Sequence, residues 1–406
     1  SRISRMWLED KVVSTLSFFL SDAKFSVPEL QLLYAKRIQQ VYDIQPGYFC
    51  IDDTMKHHSK FCKWIHGVFV LFDHSLGTNL KATCIVFLYH SDGSLIKFPI
   101  AFRIYYQETS KMLWQRGKKR QYKTKYDLAT QMLEWALKMG FPKSIVLADS
   151  WFCMGPFIKD LKRLELSYII EVKSNYTVRV ASKKPKLTTK GRLAKKQYDQ
   201  VALPEFFNYL CSVFKYGFAE DQKTGKVQKV LYHTKIKTLR MNSIVGKHRV
   251  VESIDPTKQT TKYLLTDQLT WEAGKILTTY NNRWVIEEFF RNAKQLTDME
   301  GVTIRSEQGV ATALCLVSWI DFLLHCENYK QSTAGILPKE SLTIPSIVRR
   351  AQDENLQAVI ERVKREEGFL QKWLAVEEKN IFKQRKQNKE LVLLGERQES
   401  QSKKAA

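Results

Sequence analysis

The chain has 406 residues, and its 65 Lys and Arg outnumber its 42 Asp and Glu, which gives a formal net charge of +23. Apolar residues make up 44% and aromatic residues 12% of the sequence, which is enough for a sizeable core and excludes a disordered chain. Because a basic surface concentrates anions, we expect a polyanionic partner, with nucleic acid ahead of an anionic membrane. The length predicts two or three domains.

The cysteine pattern and the apolar stretches favour a cytoplasmic protein. The seven cysteines are widely spaced and contain no C-x-x-C pair, which favours free thiols over disulfides or a zinc site. The N-terminus has no signal-peptide hydrophobic region. The longest apolar stretch, 311–326, is interrupted by Asp321 and is shorter than the roughly 20 residues that cross a bilayer, so we predict a buried helix there.

The predicted elements follow an α/β order. Aromatic and β-branched runs predict a meander of strands within residues 47–106. We then expect a helix over 127–139, a strand over 144–149, a helix ending near residue 162, and a strand over 167–173. This succession favours an RNase H-like core, in which a mixed sheet is flanked by helices.

The later regions depart from this alternation. Residues 174–265 are basic, polar and strand-leaning, and they predict a β-rich insertion into the core. A long helix over 271–295 and an apolar helix near 308–327 follow, and the tail from 340 is charged and helical in pattern, with a disordered end over 396–406. We therefore expect five regions. They are a helical N-terminal region (1–45), the first part of the core (46–173), the insertion (174–265), the second part of the core (266–330) and a helical C-terminal region that is a candidate for dimerisation (331–406).

Three carboxylates stand out by their positions. Asp52 and Asp149 end predicted strands, and Glu287 lies in the long helix. Strand ends lie at the rim of a sheet, where the ligands of α/β folds collect. Three hard oxygen ligands without His or Cys suit Mg²⁺ or Mn²⁺. The alternative is that each Asp simply starts a turn, as Asp often does.

The long helix carries further polar groups at helical spacing: Tyr280, Arg283, Glu287 and Lys294. At about 100° per residue, these four side chains fall within one stripe about 60° wide. A phosphodiester site requires an acid for the metal ion, with Arg and Lys for the phosphate oxygens. A solvated helix face with an Arg–Glu pair would carry the same pattern.

The segment 280–294 resembles the Y-(2)-R-(3)-E-(6)-K signature of bacterial insertion-sequence DDE transposases of the family-four type, including its Arg-Trp-x-Ile-Glu-Glu-Phe core. The segment Ile-Asp-Asp-Thr is similar to the first-Asp segment of that family, which selects Asp52 over Asp53. Leu-Ala-Asp-Ser-Trp-Phe, around Asp149, is similar to the second-Asp segment. The resemblance covers roughly residues 47–327.

The resemblance implies an acidic triad that binds two Mg²⁺ or Mn²⁺ ions, and a second set that grips the transposon-end backbone near the cleaved phosphate. The triad is Asp52, Asp149 and Glu287, and the second set is Tyr280, Arg283 and Lys294. The implied partners are double-stranded DNA, as terminal inverted repeats and target, and a second copy of the chain, with no membrane. The implied activity is cut-and-paste transposition in the bacterial cytoplasm, at the nucleoid.

The resemblance also implies a hairpin intermediate, for which relatives stack an aromatic residue of the insertion on a flipped base. This insertion has no Trp, and the candidates left open are Tyr209, Tyr216, Tyr232 and the bordering Trp271. The basic runs 116–126 and 173–196 are candidates for contact with the DNA backbone.

Two other functions stay open from the sequence. One is a domesticated transposase that binds DNA without cutting it, which a nicking assay would separate. The other is an RNase H-like nuclease without strand transfer, which a search for joined products would separate.

Overall fold

The structure is a computed structural model, and it describes residues 26–60, 62, 65–73, 76–108, 114–115, 118–119, 121–181, 198–208, 213–220, 227–241, 243–255, 260–297, 299, 304–335, 343–366 and 368. Predictions for residues 1–25, for most of the basic run 173–196 and for the end of the chain from 369 lie outside the described residues. Tyr209 lies outside them too, and only the backbone of Tyr216 and Tyr232 is described.

The chain divides into two compact units: residues 24–344 form one, and residues 1–23 with 345–406 form the other. Eight helices lie in the described residues: α1 Val27–Val41, α2 Lys125–Lys138, α3 Gly155–Arg163, α4 Leu203–Asn208, α5 Ala273–Asn281, α6 Trp284–Gln295, α7 Glu307–Thr333 and α8 Ile344–Arg365. Capping residues in the local sequence determine where several of these helices begin. Thr124, for example, caps α2 through a reciprocal pair of hydrogen bonds with Asp127.

Fourteen strands lie in the described residues: β1 Tyr48–His57, β2 Phe69–Asp73, β3 Thr78–Ser91, β4 Lys97–Tyr105, β5 Trp114–Gln115, β6 Lys118–Lys119, β7 Ile145–Ala148, β8 Tyr168–Val172, β9 Thr177–Ala181, β10 Tyr198–Ala202, β11 Val213–Glu220, β12 Val227–Leu239, β13 His248–Asp255 and β14 Thr260–Thr266. Most of β3 is buried, which agrees with its continuous apolar run.

Ten of these strands form one mixed sheet, in the order β11-β12-β13-β14-β8-β7-β1-β3-β2, with β4 also paired to β3. β1, β7 and β8 are parallel neighbours, and the other pairings are antiparallel. The predicted α/β fold, a mixed sheet flanked by helices, is confirmed. The strands β11 to β14 extend this sheet through the β14–β8 pairing, while the predicted five-region division of the chain stays a prediction.

Each face of the sheet carries its own core cluster, because successive side chains of a strand point to opposite faces. On one face, α2 and α3 pack on residues such as Phe49 and Val146. On the other, which we call the α6 face, α5, α6 and α7 pack on residues such as Cys50, Leu147 and Ile169. The odd and even positions of β1, β7 and β8 therefore determine which residues α6 can meet.

The prediction of one long helix over 271–295 is wrong, because the segment forms α5 and α6 with a tight turn between them. The backbone N–H groups of Asn282 and Arg283 donate to carbonyls only three residues back. The Asn282 side chain also donates to the carbonyls of Thr278 and Thr279, and Asn competes with helix bonding in this way. Tyr280 therefore belongs to a different helix from Glu287.

The apolar helix is longer than predicted. α7 begins after Ser306, whose side chain accepts a hydrogen bond from the Gly309 N–H, and it runs on to Thr333. By length and composition alone α7 could cross a membrane, but most of its apolar window is buried inside the protein. That burial agrees with the predicted core helix.

Candidate active site

Asp52 and Asp149 lie beside each other at one edge of the sheet. The parallel register of β1 and β7 pairs the residues just before these two acids. The parallel register of β7 and β8 places Glu171 next in the same row. By their position in the strands, Asp52 and Glu171 share the α6 face, and the Asp149 backbone continues β7 in an extended conformation.

Glu287 approaches this row of acids from α6, which packs on the α6 face of the sheet. α6 packs on the α6 face through buried Ile286 and Phe289, which sets Glu287 one helical position beyond the apolar contact. The carboxylate of Glu287 and that of Asp52 bind the same guanidinium, that of Arg283. The structure therefore brings together two acids that are more than two hundred residues apart in sequence.

Arg283 lies at the centre of this arrangement. Its Nη1 donates to Asp52 Oδ2 at 2.9 Å, and its Nη2 donates to Glu287 Oε1. The Arg283 side chain is only 12% exposed, and its Nε is buried without a hydrogen-bond partner among the described residues. Burial lowers the pKa of Arg283, but Tyr280 and the two acids outweigh it and raise the pKa overall.

The environment of Asp52 and Asp149 disfavours their ionised forms. Burial raises the pKa of Asp52 to about 7; Arg283 lowers this pKa, whereas Asp149 and Asp53 raise it. Burial also raises the pKa of Asp149, with Asp53 adding to the rise and Arg283 opposing it. Burial is thus the main reason why the charged forms of Asp52 and Asp149 are disfavoured, and the neighbouring acids add to it.

Asp53, the neighbour of the first acid, occupies a different environment. Its position in β1 places it on the face opposite the α6 face. There its Oδ2 accepts a hydrogen bond from Lys125 Nζ at 2.9 Å and another from the Cys84 thiol. The sequence resemblance selected Asp52 over Asp53, and only Asp52 contacts Arg283 in the described structure.

Tyr280 is almost fully buried, and its hydroxyl lies within hydrogen-bond distance of the Ala148 carbonyl at 3.3 Å and of Glu171 Oε2 at 3.2 Å. Burial raises the pKa of Tyr280 well above its usual value, so the hydroxyl keeps its proton. In this state the group is bound within the protein, next to the residue that precedes Asp149. Its predicted contact with DNA stays a prediction.

Lys294 lies two turns after Glu287 on α6 and is half-buried. Its Nζ donates to the Met55 carbonyl at 3.2 Å, so it contacts the strand that carries Asp52. Of the four residues of the predicted stripe, Glu287 and Lys294 lie on α6, and Arg283 is the N-cap residue directly before it. Arg283 and Lys294 contact β1, and Tyr280 joins them from α5.

The chemistry of the carboxylates at this edge of the sheet suits a divalent cation. Among the described residues, no three His, Cys, Asp or Glu side chains are gathered closely enough to hold a metal ion, and Asp52 and Glu287 both pair with the guanidinium of Arg283. The donors are nevertheless all carboxylate oxygens, which Mg²⁺ and Mn²⁺ prefer. Burial disfavours the charged form of Asp52, and a bound cation would stabilise that form, so Asp52 and Asp149 fit a divalent ion, and Glu287 fits once Arg283 releases it.

Glu171 is the site residue that the sequence reasoning missed. It lies at the end of the third parallel strand, half-buried, and it acts with Asp149 in raising the pKa of Tyr280. The sequence contains a signal for it, because Glu171 stands two residues before the end of the predicted strand 167–173. Only the register of β7 with β8 shows that this acid joins the row.

Comparisons with known proteins point in the same direction as the geometry. Residues 5–205 match the family model described as DDE superfamily endonuclease. This range includes Asp52, Asp149 and Glu171, and it ends before Glu287. The mixed sheet flanked by helices is consistent with an RNase H-like domain of this kind.

One curated relative is the "Probable transposase for insertion sequence element IS701" of Microchaete diplosiphon, with 28% identity over 169 residues. The alignment covers 41% of this chain and 42% of that protein, so the chain spans less than half of the relative it matches. The chain is therefore similar to DDE endonucleases and to an insertion-sequence transposase.

Proposed function

We propose that the protein is a metal-dependent DNA transposase of the YREK-signature, family-four type, which cleaves transposon ends and joins the 3′ ends to target DNA. The observation that carries this proposal is the convergence of Asp52 and Glu287 on Arg283, beside Asp149, at one edge of the sheet. The match to DDE endonucleases and the similarity to an insertion-sequence transposase support it.

In this proposal, Asp52, Asp149 and Glu287 hold two Mg²⁺ or Mn²⁺ ions against the scissile phosphate. Bound there, such ions would activate a water or a DNA 3′-hydroxyl for attack and would stabilise the departing oxygen. The carboxylates themselves move no proton, and their task is to bind and orient. Asp52 must be ionised for this; burial raises its pKa to about 7, and a bound cation would favour the charged form.

The basic groups of the site act on the DNA backbone. When Arg283 leaves Asp52 and Glu287, its planar guanidinium can pair with two phosphate oxygens. Lys294 contributes a point charge from the same helix. Tyr280 completes the set that the signature implies, and meeting DNA would require its hydroxyl to leave Glu171 and the Ala148 carbonyl.

The wider reaction belongs to the same proposal. The substrates are terminal inverted repeats and target DNA, the working form is a homodimer on DNA, and the route passes through a hairpin. Of the aromatic candidates for the hairpin step, Trp271 is the one whose side chain is described. It packs beside the core of the α6 face, and Lys275 Nζ lies 4.0 Å from its ring centroid.

Plasmid nicking in Mn²⁺ or Mg²⁺ tests the proposal. Asp52→Asn, Asp149→Asn and Glu287→Gln each keep the shape of the side chain and remove the charge that binds the ion. We expect each variant to lose roughly a thousandfold or more of the cleavage rate, and EDTA to stop cleavage by the unaltered protein.

Asp53→Asn is the matched control, because Asp53 is the neighbouring acid on the opposite face of β1. Asn keeps an oxygen that can accept the hydrogen bond from Lys125 Nζ, so the cleavage rate should stay within about a few-fold of the unaltered level. Full cleavage by any of the three acid variants would refute the assignment of that acid. Nicks without joined products would favour a nuclease, and DNA binding without nicks would favour a domesticated protein.

A further inference from the structure

Trp151 is an exposed aromatic residue that the mechanism above does not use. It lies in the short 3₁₀-helix Ser150–Phe152, directly after Asp149, and its backbone N–H donates to Asp149 Oδ1 at 3.1 Å. Trp151 is 46% exposed, whereas its neighbour Phe152 is fully buried. The turn that sets Asp149 therefore also holds an indole ring open to solvent at the rim of the site.

Two lysines flank this ring. Lys125 Nζ lies 4.8 Å and Lys173 Nζ lies 5.3 Å from the Trp151 ring centroid, which is the range of cation–π contact. Lys125 is also paired with Asp53. Lys173 directly follows β8 and is exposed, and it makes no ion pair with the residues that the structure describes. An aromatic surface and positive charge thus occur together beside Asp149.

We propose that Trp151, Lys173 and Lys125 form a shelf that binds an unpaired nucleobase of the DNA being cut. A base stacks on the open part of the indole, and the phosphate beside that base pairs with Lys173. The chemistry favours nucleic acid, because stacking on an aromatic ring flanked by cations is how single-stranded DNA is held without sequence preference. The proposal rests on the proposed function, since it takes the strand in the shelf to be the one at the acids.

The position of the shelf gives it a role in the reaction. Lys125 Nζ contacts both the Trp151 ring and Asp53, the residue after Asp52, so a base on the indole would lie beside the strand ends that carry Asp52 and Asp149. A strand whose terminal bases are unpaired would be held there in a fixed register. We therefore expect the shelf to favour DNA ends with single-stranded character over blunt duplex.

A binding experiment with a fluorescent base tests the shelf. The probe is a short duplex with a single-stranded overhang that contains 2-aminopurine, whose fluorescence falls when it stacks, and EDTA prevents cleavage. Trp151→Ala should weaken binding of this probe by roughly tenfold and lose the quenching, while blunt-duplex affinity stays nearly unchanged. Trp151→Phe should keep most of the quenching, and Lys173→Gln should weaken binding by several-fold.

Phe72→Ala is the matched control, because Phe72 is a similarly exposed aromatic residue, at 47%, on β2. It should bind and quench like the unaltered protein. Normal binding and quenching of the overhang by Trp151→Ala would refute the shelf. So would a Trp151→Phe variant that has a normal thermal midpoint, and is therefore folded, but loses as much binding and quenching as the Ala variant. Failure of the unaltered protein to nick plasmid, with quenching intact, would instead refute the proposed function alone.

Discussion

Arg283 contacts two of the three proposed metal ligands, and its guanidinium joins them in the metal-free site. The spacing of Arg283 and Glu287 along one helix was visible in the sequence, since residues four apart share a helix face. The contact of Arg283 with Asp52 was not, because it joins residues 231 apart and depends on how α6 lies over β1. Sequence patterns record local spacing, and they do not record that packing.

Replacing Arg283 tests whether it holds the acids until an ion arrives. Arg283→Gln leaves two partly buried carboxylates without their counter-ion, so the metal-free variant should lose about 3 kcal/mol of the free energy of unfolding. Added Mn²⁺ should raise the thermal midpoint of the variant more than that of the unaltered protein, because the ion no longer has to displace a guanidinium. Differential scanning fluorimetry with and without Mn²⁺ measures both effects.

Arg163→Gln provides the control for this prediction. Arg163 also bridges two acids, Glu134 and Asp160, but its side chain is 53% exposed, and exposed ion pairs contribute little. Its midpoint should change little in either condition. An Arg283→Gln protein whose midpoint responds to Mn²⁺ just as the unaltered protein does would show that Arg283 does not compete with the ion.

At the scale of elements, the sequence predicted the strands that carry the acids and the helices between them. β1, β7 and β8 lie where apolar runs predicted strands, and α2 begins two residues and ends one residue before the predicted helix. The break between α5 and α6 was missed, because Asn is tolerated within helices and only its hydrogen bonds to Thr278 and Thr279 show that it ends one. The predicted single stripe is thus shared by two helices.

Gly47 is the point at which β1 enters the sheet, and it tests how tightly the strand with Asp52 is placed. A Cβ at this position would lie 2.3 Å from the Ser91 carbonyl oxygen and 3.0 Å from Asp92 Cα, both of them backbone atoms. Gly47→Ala must therefore shift β1 relative to its neighbour, and we expect a loss of about 1–3 kcal/mol in the free energy of unfolding, measured by urea titration.

The matched glycine is Gly274 in α5, where an added Cβ would meet no atom within 4 Å. Gly274→Ala should leave stability unchanged or raise it by up to about 1 kcal/mol, because Ala favours helix. Equal stability of Gly47→Ala and the unaltered protein would mean that the close approach to Ser91 is not a constraint on β1.

At the scale of the whole molecule, composition predicted the partner class and the α/β order predicted the fold. The net charge of +23 indicates a polyanion without indicating where it binds. The position of the site came from the register of three parallel strands, which joins residues 52, 149 and 171. Register depends on long-range pairing, and for that reason Glu171 was not identified from the sequence.

The salt dependence of DNA binding measures how many basic side chains contact phosphates. The logarithm of the duplex association constant should fall linearly with the logarithm of the salt concentration, because bound cationic side chains release counter-ions from DNA. Lys294→Gln should reduce that slope by about one if Lys294 meets a phosphate. Lys143→Gln, which removes a surface lysine paired with Glu165, should leave the slope unchanged. Equal slopes for the two variants would exclude Lys294 from the DNA contact.

Manganese binding tests most directly whether the acids at the sheet edge form a metal site. Electron paramagnetic resonance counts the Mn²⁺ ions bound per chain in the presence of duplex DNA, with Asp53→Asn as the control. The unaltered protein and the control should bind two ions each, and the Asp52→Asn, Asp149→Asn double variant should bind none at this site. Equal Mn²⁺ binding by the double variant and the unaltered protein would contradict the claim that Asp52 and Asp149 bind the metal ions.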